Sequence, residues 1–154
     1  MIRNPKSSKG DRMPMIHSLQ SLQKLNLLQQ ALLCDGNLDE KLKNITDAVV
    51  ETFNADFCRI WIKGPGDICE KGCIHAMSKD PEKLCRLREY CLHLISSSGR
   101  YTHIDGPHSR MPFGLYKVGR IAGGQTSKFL TNDAVNDPQI MDHEWARGLG
   151  LVSF

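Results

Sequence analysis

The 154-residue sequence has few aromatic side chains, little excess charge and no long apolar run. Phe, Trp and Tyr make up 6% of the residues, and 20 Lys and Arg oppose 17 Asp and Glu. Nucleic-acid recognition requires a basic patch with stacking aromatics, so we expect no nucleic-acid partner. No run approaches the roughly 20 apolar residues of a membrane span, and no apolar segment follows the basic N-terminus as in a signal peptide. We therefore expect a cytoplasmic protein without a membrane partner.

The sequence also lacks the common catalytic motifs. It contains no phosphate-binding P-loop, no G-x-S-x-G, no H-E-x-x-H and no dinucleotide-binding fingerprint. Its acidic residues do not form an obvious catalytic pair. These absences favour a binding protein over an enzyme.

The length is sufficient for one domain. Residues 1–16 are basic and are interrupted by Pro5 and Pro14, which predicts a flexible basic arm. Hydrophobic residues make up 40% of the chain and charged residues 24%, as in globular proteins. We therefore assign a single domain to residues 17–154.

Apolar periodicity predicts several helices and strands in this domain. Leucines at three- and four-residue spacing predict a helix over residues 18–33, and an Asn37–Glu40 capping box starts a second helix that runs to residue 53. The segment 57–63 reads as a strand. The remaining predictions are a strand at 73–77, helices at 81–97, 113–122 and 139–148, and a strand beginning at 151–154. This order indicates an α/β or α+β domain with a sheet between helical layers.

Several segments of the C-terminal third follow one another in a distinctive order. A short Gly/Ala-patterned helix at 119–123 precedes an extended segment at 129–131, an N-D-x-x-x-D-P turn at 132–138, and a helix leading into a strand at 145–154. This order resembles the second half of a GAF domain, and residues 55–60 resemble the entry into that family's first strand. The middle of the chain resembles a Cys-rich subgroup of archaeal and bacterial sensory proteins.

GAF domains are small sensory modules with a central antiparallel sheet between helices, and they bind cyclic nucleotides, tetrapyrroles, haem, metals or other small ligands. The resemblance implies a non-enzymatic domain that senses a small molecule or redox state and signals to a separate kinase or regulator. The family's sheet continues into further C-terminal strands that this sequence lacks. The strand at 57–63 would then have an uncovered edge, so we expect a partner chain to cover it in a homodimer or larger homo-oligomer.

The resemblance places the ligand cavity near a loop that is rich in cationic and aromatic side chains. Arginines suit an anionic ligand, and a histidine suits haem iron. The candidate ligand-binding residues are Arg100, Tyr101, His103, His108, Arg110 and Tyr116.

Six cysteines are the main anomaly of the composition, and four of them fall within residues 69–91. Thiolates and imidazoles together suit zinc or an iron–sulfur cluster, of which zinc is our first choice. The candidate metal ligands are Cys69, Cys73, Cys85, Cys91 and His75. In a helix over 81–97, Cys85 and Cys91 would lie on different faces, so a shared site needs that helix to start later or to be distorted. Buried free thiols, or disulfides joining Cys69 to Cys73 or Cys85 to Cys91, are the alternatives.

Two other functions stay open. A GAF-fold class of enzymes reduces free methionine sulfoxide through cysteine thiols, although the cysteines here do not follow that class's pattern. Alternatively, the leucines of the first helix dock a partner or a second copy, and the chain is a dimerisation module without a ligand.

Overall fold

The computed structural model describes residues 13–140 and 142–154. The arm predicted for residues 1–16 therefore lies mostly outside the described residues. The first helix, α1, spans Met13–Leu33 and so begins five residues before the predicted start. Pro14 is compatible with this earlier start because the first turn of a helix leaves its N–H groups unpaired in any case.

Helix α1 packs against the second helix through one side only. Leu28 and Ala31 are half-buried, whereas the other leucines with described side chains are 49–81% exposed. They are Leu19, Leu22, Leu25, Leu27, Leu32 and Leu33. The leucine pattern correctly predicted a helix, but most of its apolar surface faces outward.

The second helix, α2, spans Leu38–Phe53 and confirms the predicted capping box. The Asn37 side chain accepts a hydrogen bond from the Glu40 N–H at 3.0 Å, and the Glu40 carboxylate accepts one from the Asn37 N–H at 2.9 Å. The helix ends at Asn54, which adopts a left-handed conformation with φ 50°.

The sheet has three antiparallel strands in the order β1-β2-β3. β1 is Phe57–Pro65, β2 is Tyr90–Gly99 and β3 is Arg110–Met111. Phe57 lies opposite Gly99 and Pro65 opposite Tyr90, with a bulge after Ile60. The prediction of β1 is confirmed. Within the described residues, β1 pairs with β2 alone, so its other edge is open.

Two predicted elements in the middle of the chain were wrong. The predicted helix at 81–97 is an irregular segment followed by β2, and the predicted strand at 73–77 is a series of turns. In β2 the buried Leu92 and Leu94 alternate with Cys91 and His93, which is the two-residue period of a strand. The leucine spacing that suggested a helix combined residues from both segments.

Helix α2 covers one face of the sheet through a buried hydroxyl cluster. Thr46 is fully buried, and its Oγ1 lies 2.9 Å from Ser96 Oγ and 2.6 Å from Ser98 Oγ. These contacts pair the polar groups of a serine-rich strand that would otherwise be buried without partners.

The C-terminal part of the chain covers the opposite face. It contains α3 (Tyr116–Ala122) and α4 (His143–Gly148), which begin three and four residues after their predicted starts. A small core of Ala134, Ala146 and Leu151 packs with Phe57 of β1 and Trp145 of α4. The predicted extended segments at 129–131 and 151–154 are not sheet strands, but Thr131 and Phe154 exchange both backbone hydrogen bonds at 2.9 Å.

Helices and a three-stranded antiparallel sheet together confirm the mixed α+β class. In the described part of the chain, the helices are all too short or too polar to cross a bilayer.

Candidate functional site

The structure brings the five predicted metal ligands to one small cavity. We call it the cysteine cavity. Its lining includes Cys69, Cys73, Cys85, Cys91 and His75. Three of the cysteines and His75 are buried, with exposures of 3–7%. All six cysteines of the chain are free thiols, so the disulfide alternatives are not formed.

Three segments of the chain contribute these cysteines. Cys69 and Cys73 lie on the turns after β1, Cys85 lies in the irregular segment before β2, and Cys91 lies on β2 opposite Gly64. Because no helix spans residues 81–97, Cys85 and Cys91 are free to face the same cavity.

Close backbone contacts hold the turns after β1 against the segment before β2. The Cys85 N–H donates to the His75 carbonyl at 2.8 Å, and the Gly66 N–H donates to the Glu89 carbonyl at 3.0 Å. A Cβ on Gly66 would lie only 1.9 Å from the Arg88 carbonyl oxygen. Glycine at position 66 therefore permits the approach that closes the cavity.

Two thiols of the cavity, those of Cys85 and Cys91, lie in an environment that favours their neutral form. The Cys85 thiol donates to the Leu87 carbonyl at 3.1 Å, and burial raises its pKa. Burial also raises the pKa of Cys91 to about 11. A thiol that attacks methionine sulfoxide needs a lowered pKa, so neither Cys85 nor Cys91 is suited to that role.

His75 presents an unused nitrogen in this cavity. Its side chain is 3% exposed, and within the described residues its buried Nε2 has no hydrogen-bond partner. Burial lowers the pKa of His75, and an interaction with the Arg110 backbone raises it. A buried polar atom without a partner is costly, which points to a group that the cavity is built to receive.

A second set of potential metal ligands lies beside the cavity. The ligand atoms of Asp67, Cys91 and His93 lie within 4.8 Å of one another. Two of them already have partners: Arg110 donates two hydrogen bonds to the Asp67 carboxylate at 2.9 and 2.6 Å, and His93 Nε2 lies 2.7 Å from the Pro65 carbonyl oxygen. The Arg110 guanidinium holds the pKa of Asp67 well below its usual range. Asp67 and His93 of this trio are therefore already engaged, Asp67 in an ion pair and His93 in a hydrogen bond.

A separate pocket lies between the sheet and α4, and we call it the aromatic pocket. Its cavity volume is about 70 Å³, and it is lined mainly by apolar side chains with a few polar groups, as small-ligand sites are. Its apolar lining includes Phe57, Trp61 and Trp145, and its cationic groups come from Arg59 and Lys117.

Arg59 is held among aromatic rings. Its guanidinium lies 4.4 Å from the Tyr101 ring centroid and 5.2 Å from that of Trp145, and its Nε donates to Ser97 Oγ at 3.3 Å. Burial lowers the pKa of Arg59, but an arginine stays charged in proteins. Its buried Nη2 has no hydrogen-bond partner in the described part of the chain.

Two further donors of this pocket are also unused. Lys117 is 4% exposed, and its Nζ lies 3.4 Å from the Phe129 ring centroid and 3.6 Å from Asp137 Oδ2. Among the residues described, neither Lys117 Nζ nor Trp145 Nε1 makes a hydrogen bond. Three buried donors of one pocket therefore lack a hydrogen bond, although the charge of Lys117 is paired with Asp137.

Two of the six predicted ligand-binding residues, His108 and Tyr116, line the aromatic pocket directly. Burial lowers the pKa of His108, and the nearby charge of Arg59 lowers it further. Tyr101 lies behind Arg59 and packs against it.

The other three predicted residues lie elsewhere. Arg100 is paired with Asp56 at 3.1 Å, and the His103 side chain is 71% exposed. Arg110 lines the cysteine cavity and is bonded to Asp67. The loop that seemed to form one site in the sequence is thus divided between two sites and the surface.

The most polar residues of the aromatic pocket were not predicted from the sequence. Arg59 lies between Phe57 and Trp61 at two-residue spacing on β1, and all three side chains line the same pocket. A charged residue on the apolar face of a strand was therefore a usable signal in the sequence. Lys117 and Trp145 gave no comparable signal, because their burial depends on how the C-terminal segments fold back.

No protein-family model, curated protein or solved structure matches this chain.

Proposed function

We propose that this chain is a non-enzymatic, GAF-like sensing domain of the cytoplasm whose aromatic pocket binds a small planar anion. The observation that carries the proposal is a set of three buried donors of that pocket that make no hydrogen bond within the described residues: Arg59 Nη2, Trp145 Nε1 and Lys117 Nζ, the last in an ion pair with Asp137. Buried donors are normally paired, so an acceptor-rich ligand would complete the site.

The surroundings of these donors define the chemical class of the ligand. Phe57, Trp61 and Trp145 offer ring faces and edges for a planar apolar body. The Arg59 guanidinium suits a carboxylate, because its planar fork matches the two oxygens. A small aromatic or conjugated carboxylate satisfies both requirements.

Signal output would pass through surfaces outside the pocket. The exposed leucines of α1 and the open edge of β1 suit contact with a second copy of the chain. α1 contains no Asp or Glu and only Lys24 as a full positive charge, so two copies approach without strong repulsion. We propose that a homodimer formed in this way contacts a separate kinase or regulator.

Ligand binding is best tested with benzoate as the probe and benzamide as its neutral counterpart. We expect benzoate to raise the melting temperature and benzamide to have a much smaller effect, since only the carboxylate pairs with Arg59. In Arg59→Gln the benzoate affinity should fall roughly tenfold or more, as expected for loss of a buried charged partner.

Arg100→Gln is the matched control, because Arg100 is an arginine outside the aromatic pocket and is paired with Asp56. It should bind benzoate like the wild type. Equal binding of benzoate by Arg59→Gln and wild type, or no binding of either probe by the wild type, would contradict the proposal.

A further inference from the structure

We propose that the cysteine cavity holds an iron–sulfur cluster ligated by Cys69, Cys73, Cys85 and Cys91. The four cysteines come from three separate segments of the chain, yet all of them line one cavity. Four cysteine thiolates are the usual ligand set of [2Fe–2S] and [4Fe–4S] clusters.

The spacing of the thiols favours a cluster over a single zinc ion. Four thiolates on one zinc lie about 3.8 Å apart, since each Zn–S bond is about 2.3 Å long and the geometry is tetrahedral. Among the described residues, the Asp67–Cys91–His93 trio is the only group of three ligand atoms within 4.8 Å of one another. No three thiols of the cavity are therefore as close as zinc requires. A cluster has several metal atoms between its ligands and holds the thiolates further apart.

His75 supplies an independent reason to expect a bound group. Its Nε2 is buried at the cavity and has no hydrogen-bond partner in the part of the chain that the structure describes. The interaction of His75 with the Arg110 backbone raises its pKa, as an N–H that donates to a carbonyl does, so the unpartnered Nε2 of the neutral ring carries the lone pair. A lone pair can bond an iron atom, as histidine does in some iron–sulfur centres, so we assign His75 as a fifth potential ligand beside the four cysteines.

The local charges also suit an anionic centre. Four thiolates around a [4Fe–4S]²⁺ core carry a net charge of about −2. Arg110 lines the cavity, and Arg88 lies close enough to interact electrostatically with Cys85. These guanidiniums partly offset the charge of the thiolates, although Arg110 is also paired with Asp67.

The test is elemental analysis of the full chain purified without oxygen and without chelator. We expect iron and acid-labile sulfide in equal amounts, about two or four of each per chain, with visible thiolate-to-iron absorption. Cys69→Ser and Cys85→Ser should each lose most of the iron and the visible band. Cys34→Ser and Cys58→Ser are matched controls outside the cavity and should keep both.

Zinc at one equivalent without iron or sulfide would overturn the cluster and assign the cavity to zinc. Protein that contains neither metal after reconstitution with iron and sulfide would overturn the site altogether. If the cavity variants fail to fold, the wild-type iron, sulfide and zinc contents alone decide the question. His75→Gln provides a further measurement, because it should retain the iron but shift the reduction potential.

Discussion

The imidazole of His75 packs against the phenol ring of Tyr116, with ring centroids 5.5 Å apart and an interplanar angle of 57°. His75 lines the cysteine cavity and Tyr116 lines the aromatic pocket, so this contact joins the two candidate sites. Met111 of β3 borders both sites as well. A group bound in one site is therefore separated from the other by a single layer of side chains.

Binding in the two sites should be coupled through this layer. We expect the benzoate affinity of iron-loaded protein to differ from that of metal-free protein by about fivefold or more, the usual lower range of allosteric coupling. Calorimetric titration of both forms with benzoate measures the difference. Because coupling is reciprocal, identical affinities would show that the His75–Tyr116 contact transmits nothing.

The hydroxyl cluster that joins α2 to β2 should contribute measurably to stability. Thr46→Val keeps the shape of the side chain but leaves the hydroxyls of Ser96 and Ser98 without their buried partner. We expect the free energy of unfolding to fall by about 1–3 kcal/mol in urea denaturation.

Thr52→Val is the control on the same helix. Thr52 Oγ1 is buried and has no hydrogen-bond partner among the described residues, so its removal breaks no bond. We expect a change within about 0.5 kcal/mol. Equal effects of the two substitutions would show that the hydroxyl contacts of Thr46 are not stabilising.

The exposed leucines of α1 should mediate self-association. Leu22 and Leu25 are 61% and 57% exposed, and burying such side chains between two copies stabilises by about 1.5–3 kcal/mol each. Leu22→Glu places a charge in this surface and should raise the dimer dissociation constant roughly tenfold or more. Analytical ultracentrifugation measures the change.

Gln23→Glu adds the same charge at the neighbouring exposed position and should leave the dimer intact. A wild type that is monomeric at high concentration would rule out self-association through α1 and through the open edge of β1 alike.

Local patterns sufficed to predict the elements whose signals lie within a few residues. The Asn37–Glu40 capping box and the apolar strand at 57–63 are examples, since both depend on neighbouring side chains. The sequence did not reveal β2, because Leu84 and Leu87 of the irregular segment combined with Leu94 to mimic a helical spacing. The strand conformation of β2 depends on its pairing with β1 and on the burial of Ser96 and Ser98 under α2. Both are long-range effects.

The same distinction between local and long-range effects applies to the candidate sites. The cysteines and His75 were identifiable because such residue types are chemically distinctive wherever they lie. The loop at 100–110 was predicted as one unit, whereas the structure places His108 and Arg110 at different sites because β3 begins between them. Membership of a pocket depends on tertiary packing, which residue type alone does not specify.

Gly66 should be essential for closing the cysteine cavity. Gly66→Ala puts a Cβ 1.9 Å from the Arg88 carbonyl oxygen, so the turn after β1 must move away from the segment before β2. We expect a loss of about 1–3 kcal/mol in stability, together with a lower iron content. Gly148→Ala is the control, because a Cβ there meets no atom within 4 Å. Normal iron content and stability in Gly66→Ala would contradict this account of the cavity.

The stability of the fold should decrease on mild acidification because of His108. Burial and the charge of Arg59 hold the folded-state pKa of His108 below the ordinary value of 6.5, while Asp142 acts in the opposite sense. The folded protein therefore binds fewer protons than the unfolded chain just below pH 6.5. The stabilising effect is complete above that pH and is lost as the pH falls toward the folded-state pKa.

Chemical denaturation at pH 7.5 and pH 5.5 measures this dependence. We expect the wild type to lose stability between the two values and His108→Gln to lose less, with a residual loss from His75, whose pKa burial also lowers. His103→Gln should behave like the wild type, because the His103 side chain is 71% exposed. An unchanged pH dependence in His108→Gln would mean that His108 is not held in its neutral form by the aromatic pocket.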